Sequence, residues 1–131
     1  DGQNTQYIIR KWKAKQHTAG DFNFGWMPAH PTLYLKRALF AQFGNYSLAY
    51  GTAGDYELML RFLFGHKVRA LFFDRLIVNM RVGGISNATL KQRYLAFKND
   101  YKAAKNNHIR LPFLAVSLKK ISKIKQFFHD N

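Results

Sequence analysis

Two carboxylates stand at the start of the most apolar segment of this 131-residue chain. Asp55 and Glu57 follow the glycine-rich stretch GNYSLAYGTAG and open the segment DYELMLRFLF, residues 55–64. Carboxylates in the first turn of a helix stabilise it through capping and through the helix dipole, so Asp55 could be a helix N-cap. A carboxylate held on a rigid element beside the core is equally suited to act as a general base. Both interpretations stay open, and a metal-binding pair is less favoured because no third oxygen ligand is nearby in sequence.

Acidic residues are scarce in the rest of this basic chain. Lys and Arg number 21 against 7 Asp and Glu, which gives a formal net charge of +14. The other acids lie at the termini, in loops and turns, or among lysines on a predicted helix: Asp1, Asp21, Asp74, Asp100 and Asp130. The excess positive charge indicates an anionic partner, such as nucleic acid, a phosphorylated ligand or a lipid surface.

Composition excludes several classes of protein. The chain is 47% apolar and 16% aromatic, which disfavours a disordered basic tail, because such tails are poor in aromatic rings. Without cysteine it can form neither disulfides nor thiolate metal sites. No apolar run is long enough to predict a membrane-spanning helix. The chain opens at Asp1 with no initiator Met and no signal-peptide pattern, and we expect it to be a fragment of a longer protein.

A proline-flanked histidine and a short glycine loop are further candidates. His30 lies in WMPAHPT, where the prolines would hold its ring in place, for a functional role or for a structural bond to the backbone. No two histidines have helical zinc-ligand spacing. Arg81, Gly84 and Ser86 belong to RVGGIS, whose N–H groups, guanidinium and hydroxyl suit a phosphate. An ordinary strand-to-helix turn fits the same residues.

Apolar patterning predicts a mixed order of strands and helices. Strand composition occurs at four places: residues 7–12, 32–36, 67–73 and 76–82. A short helix is predicted to end at Gly44, and a buried helix over residues 55–64 to end at Gly65. Residues 89–106 and 113–128 predict two amphipathic helices. We expect the remainder of a larger α/β sheet, followed by these two helices.

The last predicted helix is both basic and apolar. Its apolar residues share one face: Leu114, Leu118, Ile121, Ile124 and Phe128. Its lysines decorate the rest: Lys119, Lys120, Lys123 and Lys125. Such a helix can lie on anionic lipid, or it can cover a core with its lysines outward, and both interpretations stay open. The scattered basic residues elsewhere show no aromatic-interleaved RNA-binding motif, so nucleic acid is not expected as a partner.

Three segments together resemble family 2 glycosyltransferases. GWMPAHPTLYLKRALFAQFGNY, residues 25–46, resembles the stretch after the family's metal site, where an aromatic-Pro-His sequence leads into a strand and a helix. GTAGDYELMLRFL, residues 51–63, is similar to the family's acidic helix start. VNMRVGGISN, residues 78–87, resembles the loop after the last sheet strands. The resemblance covers about residues 5–128 and points to bacterial transferases that build surface polysaccharides.

The resemblance implies an α/β fold, the C-terminal half of a GT-A (Rossmann-like) domain with a few strands, flanking helices and two C-terminal helices. Residues 1–112 would belong to the catalytic domain and residues 113–131 to a basic amphipathic C-terminal helix. The missing half would hold the nucleotide pocket and an Asp-x-Asp site for Mg²⁺ or Mn²⁺. No metal site is therefore expected in this chain, and we expect the isolated chain to be inactive.

The implied function is an inverting transfer of a sugar from a nucleotide-sugar donor to a glycan or lipid-linked acceptor hydroxyl. Asp55 matches the family's catalytic base, while Gly54 stands where Glu is more usual. Arg81 and Ser86 would help to hold the donor diphosphate, and Trp26 and His30 would face the acceptor, since flat rings stack on sugars. The substrate-binding set that follows is Trp26, His30, Glu57, Arg81, Gly84 and Ser86.

The expected partners are the nucleotide-sugar donor and the glycan acceptor, together with a peripheral contact to anionic membrane. The expected location is the cytoplasm, peripherally at the inner membrane face. The alternative, from a different class, is a basic binding module for anionic membrane or nucleic acid. Binding by such a module would be tight and would weaken steeply with salt.

Overall fold

The structure is a computed structural model that describes residues 12, 14–79 and 89–125. Its α-helices are α1 (Arg37–Phe43), α2 (Gly54–Met59), α3 (Leu90–Asn106) and α4 (Pro112–Lys125). Three 3₁₀ segments precede or link them: Ala19–Phe24, His30–Thr32 and Leu48–Ala53. A π-helical stretch, Leu60–Gly65, continues α2 directly.

The expected α/β fold is wrong, because the regular structure of the described residues is entirely helical. Residues 67–73 and 76–79, predicted as strands, form no ladder. A strand needs a partner strand for its backbone, whatever its side-chain composition. Near Ala70 a single side chain replaces that partner: Gln16 donates to the Ala70 carbonyl at 3.0 Å and accepts from the Phe72 N–H at 2.9 Å.

The other strand predictions also fail to give a sheet. Thr32 ends a 3₁₀ turn, and residues 33–36 are an irregular link to α1. Of residues 7–12, only Trp12 lies within the described part of the chain. With no sheet among the described residues, the GT-A (Rossmann-like) layering does not describe this chain.

The predicted helices are confirmed where the structure describes them. α1 ends before Gly44, whose φ of 87° is costly for other residues. α2 and its π-helical continuation end at Gly65. α3 begins at Thr89, which forms a capping box with Gln92: each side chain accepts the other's backbone N–H at 3.2 Å. α4 covers the predicted segment 113–128 as far as residue 125, and residues 126–128 lie outside the described residues.

The core forms around α2 and its continuation, as the apolar character of residues 55–64 predicts. Tyr56, Leu58, Met59, Leu60, Phe62 and Leu63 are almost completely buried. The partners packed against them come from the first 3₁₀ segment and from the last two helices: Phe22, Ala103, Ala104, Ala115 and Val116. Burying each large side chain contributes about 1.5–3 kcal/mol, so this central helix is the main apolar support of the fold.

Helix α4 turns the opposite side to the core from the one its apolar stripe predicts. Ala115, Val116 and Lys119 are buried. Leu114, Ile121 and Ile124 are 45%, 48% and 58% exposed, respectively. Of the other two residues of the predicted stripe, Leu118 is half-buried and Phe128 lies outside the described residues. Most of the described stripe therefore lies at the surface, and Lys119 was wrongly expected to point outward.

An ion pair explains this orientation of α4. Lys119 Nζ lies 3.0 Å from Asp100 Oδ1 of α3, and both side chains are nearly inaccessible. The ammonium group also lies 3.5 Å from the centre of the Tyr56 ring, a cation–π contact. Burial lowers the pKa of Lys119 to about 8, although the Asp100 charge opposes this. The Lys119–Asp100 pair is thus buried between α3 and α4, with each charge compensated by the other.

Gly25 allows the first 3₁₀ segment to pack directly on α4. Its φ is 76°, and a Cβ added there would collide with the Ala115 carbonyl and the Lys119 backbone nitrogen.

The described residues contain no helix long and apolar enough to cross a membrane.

Breaking the buried pair should cost far more than removing it. We expect Asp100→Asn or Lys119→Met alone to lower the free energy of unfolding by about 3–5 kcal/mol, because each leaves a buried charge unpaired. The double variant should lose much less. Urea unfolding of the four proteins measures this, with Lys15→Met at the exposed Lys15–Asp21 pair (2.8 Å) as a control expected to cost under about 1 kcal/mol. A double variant as unstable as the sum of the singles would contradict the paired arrangement.

Two glycine-to-alanine changes should have opposite effects. Gly25→Ala should destabilise the fold by about 3 kcal/mol or more, since it adds backbone strain and a collision with α4. Gly54 has helical φ and ψ of −57° and −42°, and a Cβ there would meet the Ser47 carbonyl at an ordinary 3.7 Å. Gly54→Ala should therefore stabilise by about 0.4–1 kcal/mol. Thermal unfolding measured by circular dichroism compares them, and similar effects of the two changes would refute this packing.

Candidate functional site

Asp55 is placed by a sharp backbone turn before α2. The 3₁₀ segment Leu48–Ala53 is broken at Gly51, where φ is 49° and ψ is −123°. The chain then enters α2 at Gly54, so Asp55 lies in the first helical turn and keeps 44% of its side chain exposed. Its neighbours Tyr56 and Glu57 are buried. The arrangement holds the Asp55 backbone rigidly and leaves its carboxylate accessible to a ligand. A general base requires both.

His30 is the residue that the fold brings to Asp55. Pro31 lies in the 3₁₀ turn His30–Thr32, which is closed by bonds from the Thr32 N–H and hydroxyl to the Ala29 carbonyl at 2.9 and 2.8 Å. His30 Nε2 lies 3.8 Å from Asp55 Oδ2, and 52% of the His30 side chain is exposed. This distance allows an ion pair when the ring is protonated, and it leaves both groups accessible.

Tyr46 joins the Asp55–His30 cluster through its electrostatic coupling to Asp55, and the sequence reasoning missed it. Burial raises the pKa of its hydroxyl, and the nearby Asp55 charge raises it further. The ring is still 55% exposed and packs at 6.2 Å, centre to centre, on Phe40 of α1. The aromatic residue of the turn GNY, which the family resemblance includes, was the available signal for Tyr46.

Glu57 is buried next to the site and pairs with Arg61. Its two carboxylate oxygens accept from Arg61 Nε at 2.9 Å and from Arg61 Nη2 at 3.2 Å, and its side chain is 5% exposed. Arg61 also donates to three successive carbonyls at the end of α1: Phe43, Gly44 and Asn45. Glu57 and Arg61 thus tie α2 to the turn that bears Tyr46, and both Glu57 oxygens accept hydrogen bonds from Arg61.

Trp26 belongs to a second cluster, around the first 3₁₀ segment. It stacks on His17, with ring centres 4.6 Å apart and planes at 24°, and meets Phe22 edge-on at 5.7 Å. Burial lowers the pKa of His17, although the Asp21 charge opposes this. One face of the indole is therefore covered by His17. Trp26 and His30, the residues predicted to face the acceptor, therefore have their contacts in different clusters. Trp26 contacts the rings of His17 and Phe22, whereas His30 pairs with Asp55.

The remaining predicted residues lie outside the description. Arg81, Gly84 and Ser86 fall within residues 80–88, which the structure does not describe, so their donor role stays a prediction. Within the described ranges, no three His, Asp or Glu side chains are grouped closely enough to hold a metal ion.

The electrostatic link between Asp55 and Tyr46 can be measured directly. We expect Asp55→Asn to lower the pKa of Tyr46, because it removes a negative charge that disfavours the phenolate. Titration of the Tyr46 ring signals by nuclear magnetic resonance measures this pKa, and the Tyr46→Phe variant identifies which signals belong to Tyr46. Asp74→Asn, in an exposed turn, is the matched control and should leave the titration unchanged. An unchanged Tyr46 pKa in Asp55→Asn would show that the two side chains are not electrostatically coupled.

Comparisons with protein-family models, curated proteins and solved structures find no match for this chain.

Proposed function

We propose that this chain is the acceptor-side part of an inverting glycosyltransferase, with Asp55 as the general base. The observation that carries the proposal is the accessible Asp55 carboxylate, held 3.8 Å from His30 Nε2. His30 and Asp55 come from the two segments, 25–46 and 51–63, in which the resemblance to family 2 transferases is most specific. Residues that resemble one family's motifs in sequence therefore also converge in space.

The proposed reaction is a single displacement at the anomeric carbon of the donor. The acceptor oxygen forms a bond to that carbon while the bond to the diphosphate oxygen breaks, and the acceptor proton passes to an Asp55 carboxylate oxygen. The two electrons of the broken bond leave with the nucleoside diphosphate. Asp55 suits this role because its side chain is open to a sugar hydroxyl while its backbone is anchored in α2.

His30 acts in this proposal as a positioning residue. A protonated ring would pair with the Asp55 carboxylate and fix its orientation, whereas either form of the ring can hydrogen-bond a sugar hydroxyl. The Tyr46 hydroxyl, whose pKa burial and the Asp55 charge raise, would supply a further hydrogen-bond donor near Asp55. Asp55 and His30 would orient a glycan hydroxyl together with this donor.

The donor side would be completed by Arg81 and Ser86 and by a divalent metal held in another part of the protein. Such a metal would neutralise charge developing on the leaving diphosphate. The described residues offer no cluster of three His, Asp or Glu side chains that could hold it, and the proposed step needs no metal on this chain. The partners of this site would be a nucleotide-sugar donor and a glycan or lipid-linked acceptor.

Replacing Asp55 should slow turnover strongly and spare donor binding. In the complete gene product, we expect Asp55→Asn to lower kcat by about 10²–10⁴-fold, since general-base catalysis contributes that much. His30→Gln should cause a smaller loss, because a positioning residue acts through Asp55. Release of nucleoside diphosphate across a panel of nucleotide sugars and glycan acceptors measures turnover, and calorimetry measures donor binding.

Asp74→Asn is the matched control, because Asp74 is an exposed carboxylate outside the cluster and should be dispensable. Full turnover by Asp55→Asn would refute the assignment of the base. Loss of donor binding in the same variant would instead assign Asp55 to the donor. Equal losses in the Asp55 and Asp74 variants would point to a general effect on the fold.

A further inference from the structure

Two neighbouring helices each expose a stripe of apolar side chains, and the two stripes meet at one ring contact. Leu90, Tyr94 and Phe97 recur along α3 at spacings of four and three, and the first two are largely exposed. The α3 stripe meets α4 where the rings of Phe97 and Phe113 lie 5.7 Å apart. We define the α3–α4 apolar face as these stripes together: Leu90, Tyr94, Phe97, Phe113, Leu114, Ile121 and Ile124.

The charge around this face has one sign. Residues 89–125 contain ten Lys and Arg residues and one acid, Asp100. That acid is buried and paired with Lys119, so these helices present no surface carboxylate. Lys120 lies at the edge of the apolar residues, with its ammonium group 5.8 Å from the centre of the Phe97 ring. Lys91 and Lys98 are exposed on α3.

Two helices that expose apolar residues, and whose only acid is buried, match one kind of partner. The apolar side chains would enter the acyl boundary of a bilayer while the lysines meet anionic headgroups. A second copy of this chain would set lysines against lysines, and nucleic acid would leave the apolar residues in water. We propose that the α3–α4 apolar face docks on an anionic membrane surface, with both helices lying along it.

This proposal stands apart from the transferase function, because it rests on α3 and α4 and needs neither Asp55 nor His30. A docked α3–α4 face would hold the protein peripherally, through a surface rather than a membrane-spanning segment. Apolar contact and electrostatic attraction each contribute weakly, so binding should need both the apolar face and negatively charged lipid.

Vesicle sedimentation of the full chain tests the proposal. We expect binding to phosphatidylcholine vesicles containing phosphatidylglycerol, little binding to pure phosphatidylcholine, and weakening with salt. The double change Ile121→Asn and Ile124→Asn should reduce the partition coefficient roughly tenfold or more. The matched control is Leu71→Asn with Leu76→Asn, because these residues are 83% and 82% exposed but lie off the face. Circular dichroism verifies that each variant folds.

A labelling experiment gives a readout that does not depend on weakening the fold. Because the chain has no cysteine, Ile121→Cys and Leu76→Cys each provide one site for a polarity-sensitive fluorophore. We expect a blue shift on anionic vesicles at position 121 and none at position 76. Lys91→Gln with Lys98→Gln should weaken binding while the apolar residues stay in place.

Several results would overturn the proposal. One is equal binding to neutral and anionic vesicles, or binding to neither. Another is equal loss in the face variant and the control variant, or no shift of the label at position 121. Self-association without lipid that the Ile121 and Ile124 changes abolish would assign the face to a second copy. RNA binding that displaces the vesicles and survives those changes would assign the cations to nucleic acid.

Discussion

The buried ion pair between Lys119 and Asp100 determines how α4 meets the rest of the molecule. An ammonium group in the core must be compensated, and Asp100 is the one acid that α3 and α4 contain. Because Ala115 and Val116 precede Lys119 by four and three residues, pairing Lys119 inward also turns these small side chains inward. The apolar stripe on the other side of the helix is then left at the surface. The orientation that buries this pair thus departs from the rule that the most apolar side of a helix faces the core.

The sequence predicts local elements well where a local signal exists. Gly44 and Gly65 mark helix ends, Thr89 and Gln92 begin α3, and the apolar density of residues 55–64 identifies the central helix. Prediction fails where the outcome depends on distant partners. Residues 67–73 have strand composition, but a ladder needs a second strand, and Gln16 meets part of the hydrogen-bonding need instead. The rotation of α4 likewise depends on Asp100, which is far from Lys119 in sequence.

The candidate site shows the same division. Asp55 could be identified because carboxylates are scarce and this one opens a buried helix. Its nearness to His30 could not be derived from spacing, because the loop holding His30 and the start of α2 meet only through the fold. Glu57, two residues from Asp55, was grouped with it, yet a helical step of two turns its side chain toward Arg61 and the interior. Tyr46 gave no signal of its own beyond a turn motif, since its proximity to Asp55 is also a tertiary property.

The close contact at Gly25 makes the first 3₁₀ segment and α4 a single mechanical body. At Gly25 the backbone lies directly against Ala115 and Lys119, with no side chain at that position to absorb a displacement. Rotation of α4 about its axis would push bulk into this contact, so the helix is blocked sterically as well as held by charge. The Lys119–Asp100 pair and the close fit at Gly25 are therefore two independent locks on the same rotation of α4, one electrostatic and one steric.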